Sequence, residues 1–263
     1  MKWNGSVALI SGASSGIGAE LARQAVARGS KVGLLARSTA DLEVLQKELG
    51  DGCVVTTADV TSSEEVAAAV ELVTTALGPI DIVVNNAGAG LYGAFLDADV
   101  DDIDRMMRVN YLGAVRLLKA ALPGMVARRR GHLVTVGSIS GRIGSPFEAG
   151  YSASKFALTG LTEALSVELA PFGIRVSLVN PGPVDTPFFA TRGVAYDRKR
   201  PKPVSAAKVA RTIIGAVEGN RAEAYVSPLL RQAVVFKTLV PPLFQWGTTR
   251  AFADELAAEA QRS

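Results

Sequence analysis

Val7-Ala8-Leu9-Ile10-Ser11 is a short apolar run, and Gly12-Ala13-Ser14-Ser15-Gly16-Ile17-Gly18 follows it directly. The run has the length and apolar continuity of a buried strand. Beyond the glycines an amphipathic segment runs from Ala19 to Arg28 and stops at Gly29, a residue suited to a helix C-terminus. Strand, glycine turn and helix form the context in which a glycine motif cradles a dinucleotide. Glycine lets the chain turn tightly and approach a pyrophosphate. The free N–H groups and positive dipole end of the helix attract the phosphate oxygens. Gly12, Ser14, Ser15, Gly16, Ile17 and Gly18 are therefore candidate cofactor residues. The spacing is Gly-x-x-x-Gly-x-Gly, so a turn that only packs helix on strand remains the alternative at this point.

Outward from this unit, apolar runs alternate with helical patterns. Strands are predicted at about 7–11, 31–36, 53–57, 81–85, 132–137, 174–180 and 223–226. That alternation predicts an α/β fold, a single-domain Rossmann-type, doubly wound parallel sheet of about seven strands with helices on both faces. The chain of 263 residues suffices for one such domain. The expected organisation is a dinucleotide-binding catalytic domain over 1–227 and an apolar, helical extension over 228–263 packed on it. Motifs at strand ends would then line one carboxyl edge, where such sheets bind ligands.

Tyr151 and Lys155 stand four apart in Tyr151-Ser152-Ala153-Ser154-Lys155, with Ser138 upstream. Residues i and i+4 share a helix face, so phenol and ammonium point to one place. A nearby lysine favours the phenolate, which predicts a tyrosine pKa lowered from its reference of about 10. Such a phenol can give a proton to a carbonyl oxygen or take one from an alcohol.

Together these motifs resemble the short-chain dehydrogenase/reductase family, from about residue 5 to 227. The family's opening Thr-Gly-x-x-x-Gly-x-Gly stands as Ser11 to Gly18, with Ser for Thr. Its Asn-Asn-Ala-Gly is Asn85-Asn86-Ala87-Gly88. Its catalytic asparagine, serine, tyrosine and lysine match Asn110, Ser138, Tyr151 and Lys155. Its Pro-Gly turn is Pro181-Gly182-Pro183-Val184-Asp185-Thr186. The resemblance implies an oxidoreductase that moves a hydride between a nicotinamide and a carbonyl or secondary alcohol, with a non-catalytic, NADP-sensing interaction protein as the alternative. Tyr151 would be general acid or base, Lys155 would hold the nicotinamide ribose, and Ser138 would bond the reacting oxygen. Asn110 would order a water leading to Lys155. Asn86, Ala87, Gly88, Pro181, Gly182, Val184 and Thr186 would border the cofactor, and Asp59 and Val60 its adenine. For Asp59 a plain turn is the alternative.

The second strand ends at Ala36, where NAD binders carry an acid that bonds the ribose 2′-OH. Arg37 follows, and a guanidinium grips a 2′-phosphate well. Ser38 can touch the same phosphate while capping the next helix. NADP is therefore expected over NAD, although Ser15 lacks the basic side chain that some NADP-binding relatives have there.

Leu91, Tyr92, Phe147, Phe188 and Phe189 lie in three segments that border the substrate in the resembling family. They predict an apolar pocket for a lipophilic ketone or aldehyde, with packing in the core as the alternative. Glu148 reads as a plain helix-start acid, with a polar anchor in the pocket as the alternative. The stretch 188–203 reads as a mobile lid. In the extension, apolar residues of 229–240 share a helical face. Packing on the core or on a second subunit is expected there, ahead of covering the substrate mouth or resting on a membrane surface. A homodimer or homotetramer is expected.

A net charge of +3 says little about partners. Arg128-Arg129-Arg130 suits a helix C-terminus rather than nucleic acid. One cysteine, Cys53, excludes an intrachain disulfide and suits a reducing, cytoplasmic setting. One histidine, His132, and no cysteine–histidine cluster argue against a metal. No charged-apolar leader and no apolar run of about 18 residues is present.

Overall fold

The computed structural model describes residues 1–196 and 201–262. In chain order the elements are β1 (Val7–Ser11), α1 (Gly16–Val26), β2 (Lys31–Ala36), α2 (Thr39–Leu49), β3 (Cys53–Thr57), α3 (Ser63–Leu77) and β4 (Ile82–Asn85). There follow α4 (Val100–Met107), α5 (Gly113–Arg128), β5 (Gly131–Val136), α6 (Ala149–Glu168) and β6 (Ile174–Asn180). After the short β7 (Val184–Asp185), α7 (Phe188–Thr191) and β8 (Val204–Ser205) come α8 (Ala206–Glu218) and β9 (Glu223–Tyr225). The chain closes with α9 (Pro228–Leu239), α10 (Pro241–Ala251) and α11 (Ala253–Ala260).

Seven strands form one parallel sheet in the order β3-β2-β1-β4-β5-β6-β9. The expected strands are present, with shifts of one residue at the ends of β4, β5 and β9. Alternation along each strand explains the layers. Ala8 and Ile10 of β1 belong to one core with Leu21, Leu42 and Ile213. Val7 and Leu9 belong to the other with Val73, Leu117 and Met125. Neighbouring side chains leave a strand on opposite faces, so two apolar sets demand helices on both sides. The helices α1, α2 and α8 cover one face, and α3 and α5 the other.

The winding reverses between β1 and β4, where a crevice opens beyond the carboxyl ends of the strands. Two-stranded β7–β8 pairing ties Val184 to Val204 beside it. The helices α9 to α11 have no buried residue. They lie against the domain through Lys237, whose Nζ donates to the Arg142 carbonyl at 2.7 Å and sits over the Phe156 ring, and through Leu230 against Gly182. Leu229, Leu239, Leu243 and Trp246 stay exposed. Among the described residues no helix is long and apolar enough to cross a membrane.

Candidate active site

The glycine turn is built so that only glycine fits. Gly12 has φ +66, in the left-handed region, and a Cβ there would meet the Ala87 backbone and Asn86 Nδ2 at 2.9 Å. A Cβ on Gly18 would lie 2.1 Å from the Gly12 carbonyl oxygen, so Gly18 closes the turn rather than lining the cleft. The Ser11 hydroxyl donates to the Val84 carbonyl and accepts from the N–H groups of Asn86 and Ala87. Asn86 Nδ2 donates in return to the carbonyls of Ser11 and Gly12. This lattice joins the ends of β1 and β4. Ser15 caps α1 without a side-chain bond. The first-turn N–H groups therefore lack a side-chain acceptor, the condition in which a helix start takes an anion.

A cleft of about 1050 Å³ runs from this turn across the sheet edge. Ser14, Ser15, Gly16, Ile17, Asp59, Val60, Ala87, Gly88, Pro181, Gly182, Val184 and Thr186 line it, with Gly12 and Asn86. Arg37 and Ser38 line it at the end of β2, beside buried Ala36. Ser38 Oγ accepts the Asp41 N–H at 3.4 Å, capping α2. Asp59 also closes a turn, its carboxylate accepting from Thr61 N–H. The anion-accepting turn and the cleft size fit a dinucleotide.

Ser138 ends the segment after β5 and caps the turn Ile139–Gly141, its Oγ accepting the Ser140 N–H at 3.0 Å. Tyr151 and Lys155 occupy successive turns at the start of α6. Ser138 is close enough to the Tyr151 phenol to favour its ionised form. Lys155 is buried, and its Nζ donates to the Val136 carbonyl at 3.0 Å, 5.8 Å from the Tyr151 ring centroid. Asn110 lies in a π-helical turn, Arg108–Leu112, between α4 and α5. Its Oδ1 accepts from Ala89 N–H, and its Nδ2 donates to the Ala89 carbonyl and to Ser154 Oγ at 2.8 Å. Ser154 donates to the Tyr151 carbonyl. Asn110 thus sits behind the cleft wall, one side chain from the backbone of Tyr151.

The electrostatics correct one expectation. The Tyr151 phenol is pushed up from its ordinary value by burial; Ser138 pulls it back, Glu148 raises it and Arg192 lowers it. Lys155 does not pull it down here, because its ammonium bonds a strand carbonyl instead of the phenol. Burial lowers Lys155 itself to about 8.

At the far end, Tyr92, Phe188 and Phe189 line the cleft. Phe188 packs on Tyr151 with ring centroids 5.6 Å apart. Gly90 permits this, since a Cβ there would be 2.6 Å from Phe188 Cζ. Leu91 and Phe147 line a separate void of about 10 Å³ instead. The reason is the backbone: Phe147 has φ +61, and its ring stacks between Tyr92 and Phe252 as a second layer. Glu148 stands at the N-cap of α6 as expected, but its side chain makes no capping bond and pairs with Arg192. Arg192, Ala251, Phe252 and Glu255 also line the cleft and carry no sequence motif. Of the stretch read as a lid, residues 197–200 lie outside the described residues.

His132 is buried, with Nε2 2.8 Å from Ser177 Oγ, and burial lowers it to about 4, so it is neutral. The Cys53 thiol is buried and raised to about 11. Among the described residues no histidine, cysteine and carboxylate cluster suits a metal.

Known proteins agree with this architecture. A family profile described as short chain dehydrogenase matches residues 6–196. Dehydrogenase/reductase SDR family member 7B of Rattus norvegicus is 36% identical over 257 residues, covering 91% of this chain and 79% of that protein. A short chain dehydrogenase from Burkholderia cenocepacia J2315, solved with NADP, superposes with a TM-score of 0.82 at 28% identity over 94% of this chain and 99% of that one. A short chain dehydrogenase/reductase from Burkholderia phymatum, solved with NAD, shares the fold, with a TM-score of 0.84 at 24% identity over 92% and 96%. With its glycine turn, its sheet order and a family match across most of its length, the chain belongs to the short-chain dehydrogenase/reductase family of oxidoreductases.

Proposed function

We propose that the protein is an NADP(H)-dependent oxidoreductase for a lipophilic ketone or aldehyde and the corresponding alcohol. The observation that carries this reading is one cleft holding both the uncapped glycine turn and the Ser138–Tyr151 pair beside Lys155. The nicotinamide, when bound, gives or receives the hydride. The chain orients and supplies the proton. In reduction the Tyr151 phenol donates its proton to the substrate oxygen, and Ser138 bonds that oxygen as charge develops. Lys155 would hold the nicotinamide ribose, and Asn110 would steady the wall behind it. In oxidation Tyr151 would accept the proton once its phenolate is stabilised.

Three features support the finer points. Arg37 at the cleft, after Ala36 in place of an acid, favours a 2′-phosphate. Solved relatives hold either NADP or NAD, so the preference rests on these two residues. Tyr92, Phe188 and Phe189 favour an apolar substrate. The single buried thiol suits the cytoplasm, and a homodimer or homotetramer is the assembly we propose.

A panel of carbonyl compounds offered with NADPH or NADH, followed by loss of reduced-nicotinamide absorbance, tests the reading. NADPH-dependent reduction of aromatic or alicyclic ketones is expected. No turnover with either cofactor, despite measured cofactor binding, would overturn it.

A further inference from the structure

The wall beyond Tyr151 is aromatic, yet it contains one buried ion pair. Arg192 is 6% exposed, and its Nη1 bonds Glu148 Oε1. Its guanidinium lies 4.7 Å from the ring centroids of both Tyr92 and Phe189. Nε donates to the Val194 carbonyl at 3.1 Å. Among the described residues Nη2 has no acceptor, although Arg192 lines the cleft. A guanidinium has five N–H groups in a fixed fork, so donors remain for a ligand.

A buried ion pair seldom stabilises a fold against an apolar replacement, because desolvation offsets the attraction. Its presence in an apolar chamber calls for another use. The position suggests one. Glu148 stands at the N-cap of α6, three residues before Tyr151, and Arg192 lies over Phe189, which packs on Phe188, which packs on Tyr151. The guanidinium held by Glu148 is therefore close to the phenol, near enough that both charges act on it.

We propose that Arg192, oriented by Glu148, anchors a second oxygen of the substrate, an uncharged acceptor such as an ester, amide or ketone carbonyl a few bonds from the reacting carbonyl. This rests on the oxidoreductase reading. The acceptor is uncharged because the Glu148 carboxylate, bonded to Arg192, would repel a second carboxylate brought to the same fork. The substrate class that follows is a compact aromatic or alicyclic compound with two oxygens. One oxygen lies at Ser138 and Tyr151, the other at Arg192, and the apolar body lies among Tyr92, Phe188 and Phe189.

The test compares methyl 4-acetylbenzoate, 4-ethylacetophenone and 4-acetylbenzoate. Binding to the enzyme–NADPH complex is measured by calorimetry, and turnover is measured in parallel. The ester should bind roughly tenfold or more tightly than the alkyl ketone, as expected for one charge-assisted bond. The carboxylate should bind less tightly than the ester. In Glu148→Gln/Arg192→Met, which removes both charges, the ester's advantage should fall to about one. Arg192→Lys keeps the charge but loses the fork, and should retain only part of it. Equal binding of ester and alkyl ketone by the wild type would overturn the anchor, as would no binding of any of the three, a preference for the carboxylate, or an advantage that survives in the double variant. A binding preference without turnover would uphold the anchor and count against the catalytic reading. Turnover of both neutral ketones at equal KM would do the reverse.

Discussion

Lys155→Met should make the protein more stable at neutral pH while it removes a residue proposed to hold the cofactor. Lys155 is 5% exposed, and among the described residues its Nζ makes one hydrogen bond, to the Val136 carbonyl. Burial lowers its pKa from 10.5 to about 8. At about 1.4 kcal/mol per unit, keeping the ammonium charged at pH 7 costs the fold on the order of 3 kcal/mol. Methionine has similar length and no charge, but it leaves the Val136 carbonyl without that donor, a loss of about 1 kcal/mol. The net expectation is a gain of about 2 kcal/mol at pH 7. The sign with pH follows from the lowered value. Between pH 8 and 10.5 the unfolded chain binds the proton and the folded one does not, so wild-type stability rises with pH. The gap between variant and wild type should therefore narrow by about 2 kcal/mol from pH 7 to 9.5. Urea denaturation of both proteins at these two pH values measures it, with the comparison cancelling other lysines. A variant less stable than wild type at pH 7, or a gap constant with pH, would refute the reasoning.

Other outcomes follow from the same geometry. Tyr151→Phe should keep fold and NADPH binding and lower turnover by about 10²–10⁴-fold, read by steady-state kinetics under conditions where chemistry limits the rate. Gly18→Ala places a methyl group 2.1 Å from the Gly12 carbonyl oxygen, so it should abolish measurable NADPH binding or prevent folding; wild-type affinity would contradict the described turn. Ala36→Asp with Arg37→Ala should weaken NADPH and improve NADH, by about one decade for a charge-assisted contact at an exposed arginine. Dissociation constants at one fixed salt concentration check this, and a wild type that binds both cofactors equally removes the assignment.

The cofactor half of the cleft was legible because each part is a contiguous signal. Strand, glycines and helix follow one another at β1 and α1, and Asn86 reaches across only one strand to complete the turn. The alternating apolar residues of each strand announced a sheet covered on both faces. The substrate half was less legible because it is assembled from distant segments. Phe147 was read as pocket lining, but a left-handed backbone turns it away from the cleft, which no spacing rule reveals. Glu148 looked like a helix-start acid because its partner lies 44 residues later, in a segment without a motif. Phe252 was hidden in the extension, where helical periodicity describes a face but not what the face meets.

The lowered Tyr151 pKa was the natural reading of Tyr-x-x-x-Lys, and its failure is instructive about direction. Spacing places the two side chains on one helix face, but it does not say where the ammonium finds its acceptor. Here the strand carbonyl of Val136 takes it, and burial then governs the phenol. A phenol held protonated is set to donate, which is the reductive role. Accepting a proton in oxidation requires that the phenolate gain stabilisation absent from this arrangement. The ammonium has little holding it where it is, since its bond to the Val136 carbonyl offsets only part of the cost of its burial. Lys155 is thus a group whose present position is costly, and an ammonium shifted toward the phenol would supply the stabilisation that oxidation needs. The same burial that destabilises the fold at neutral pH therefore holds an ammonium 5.8 Å from the Tyr151 ring centroid.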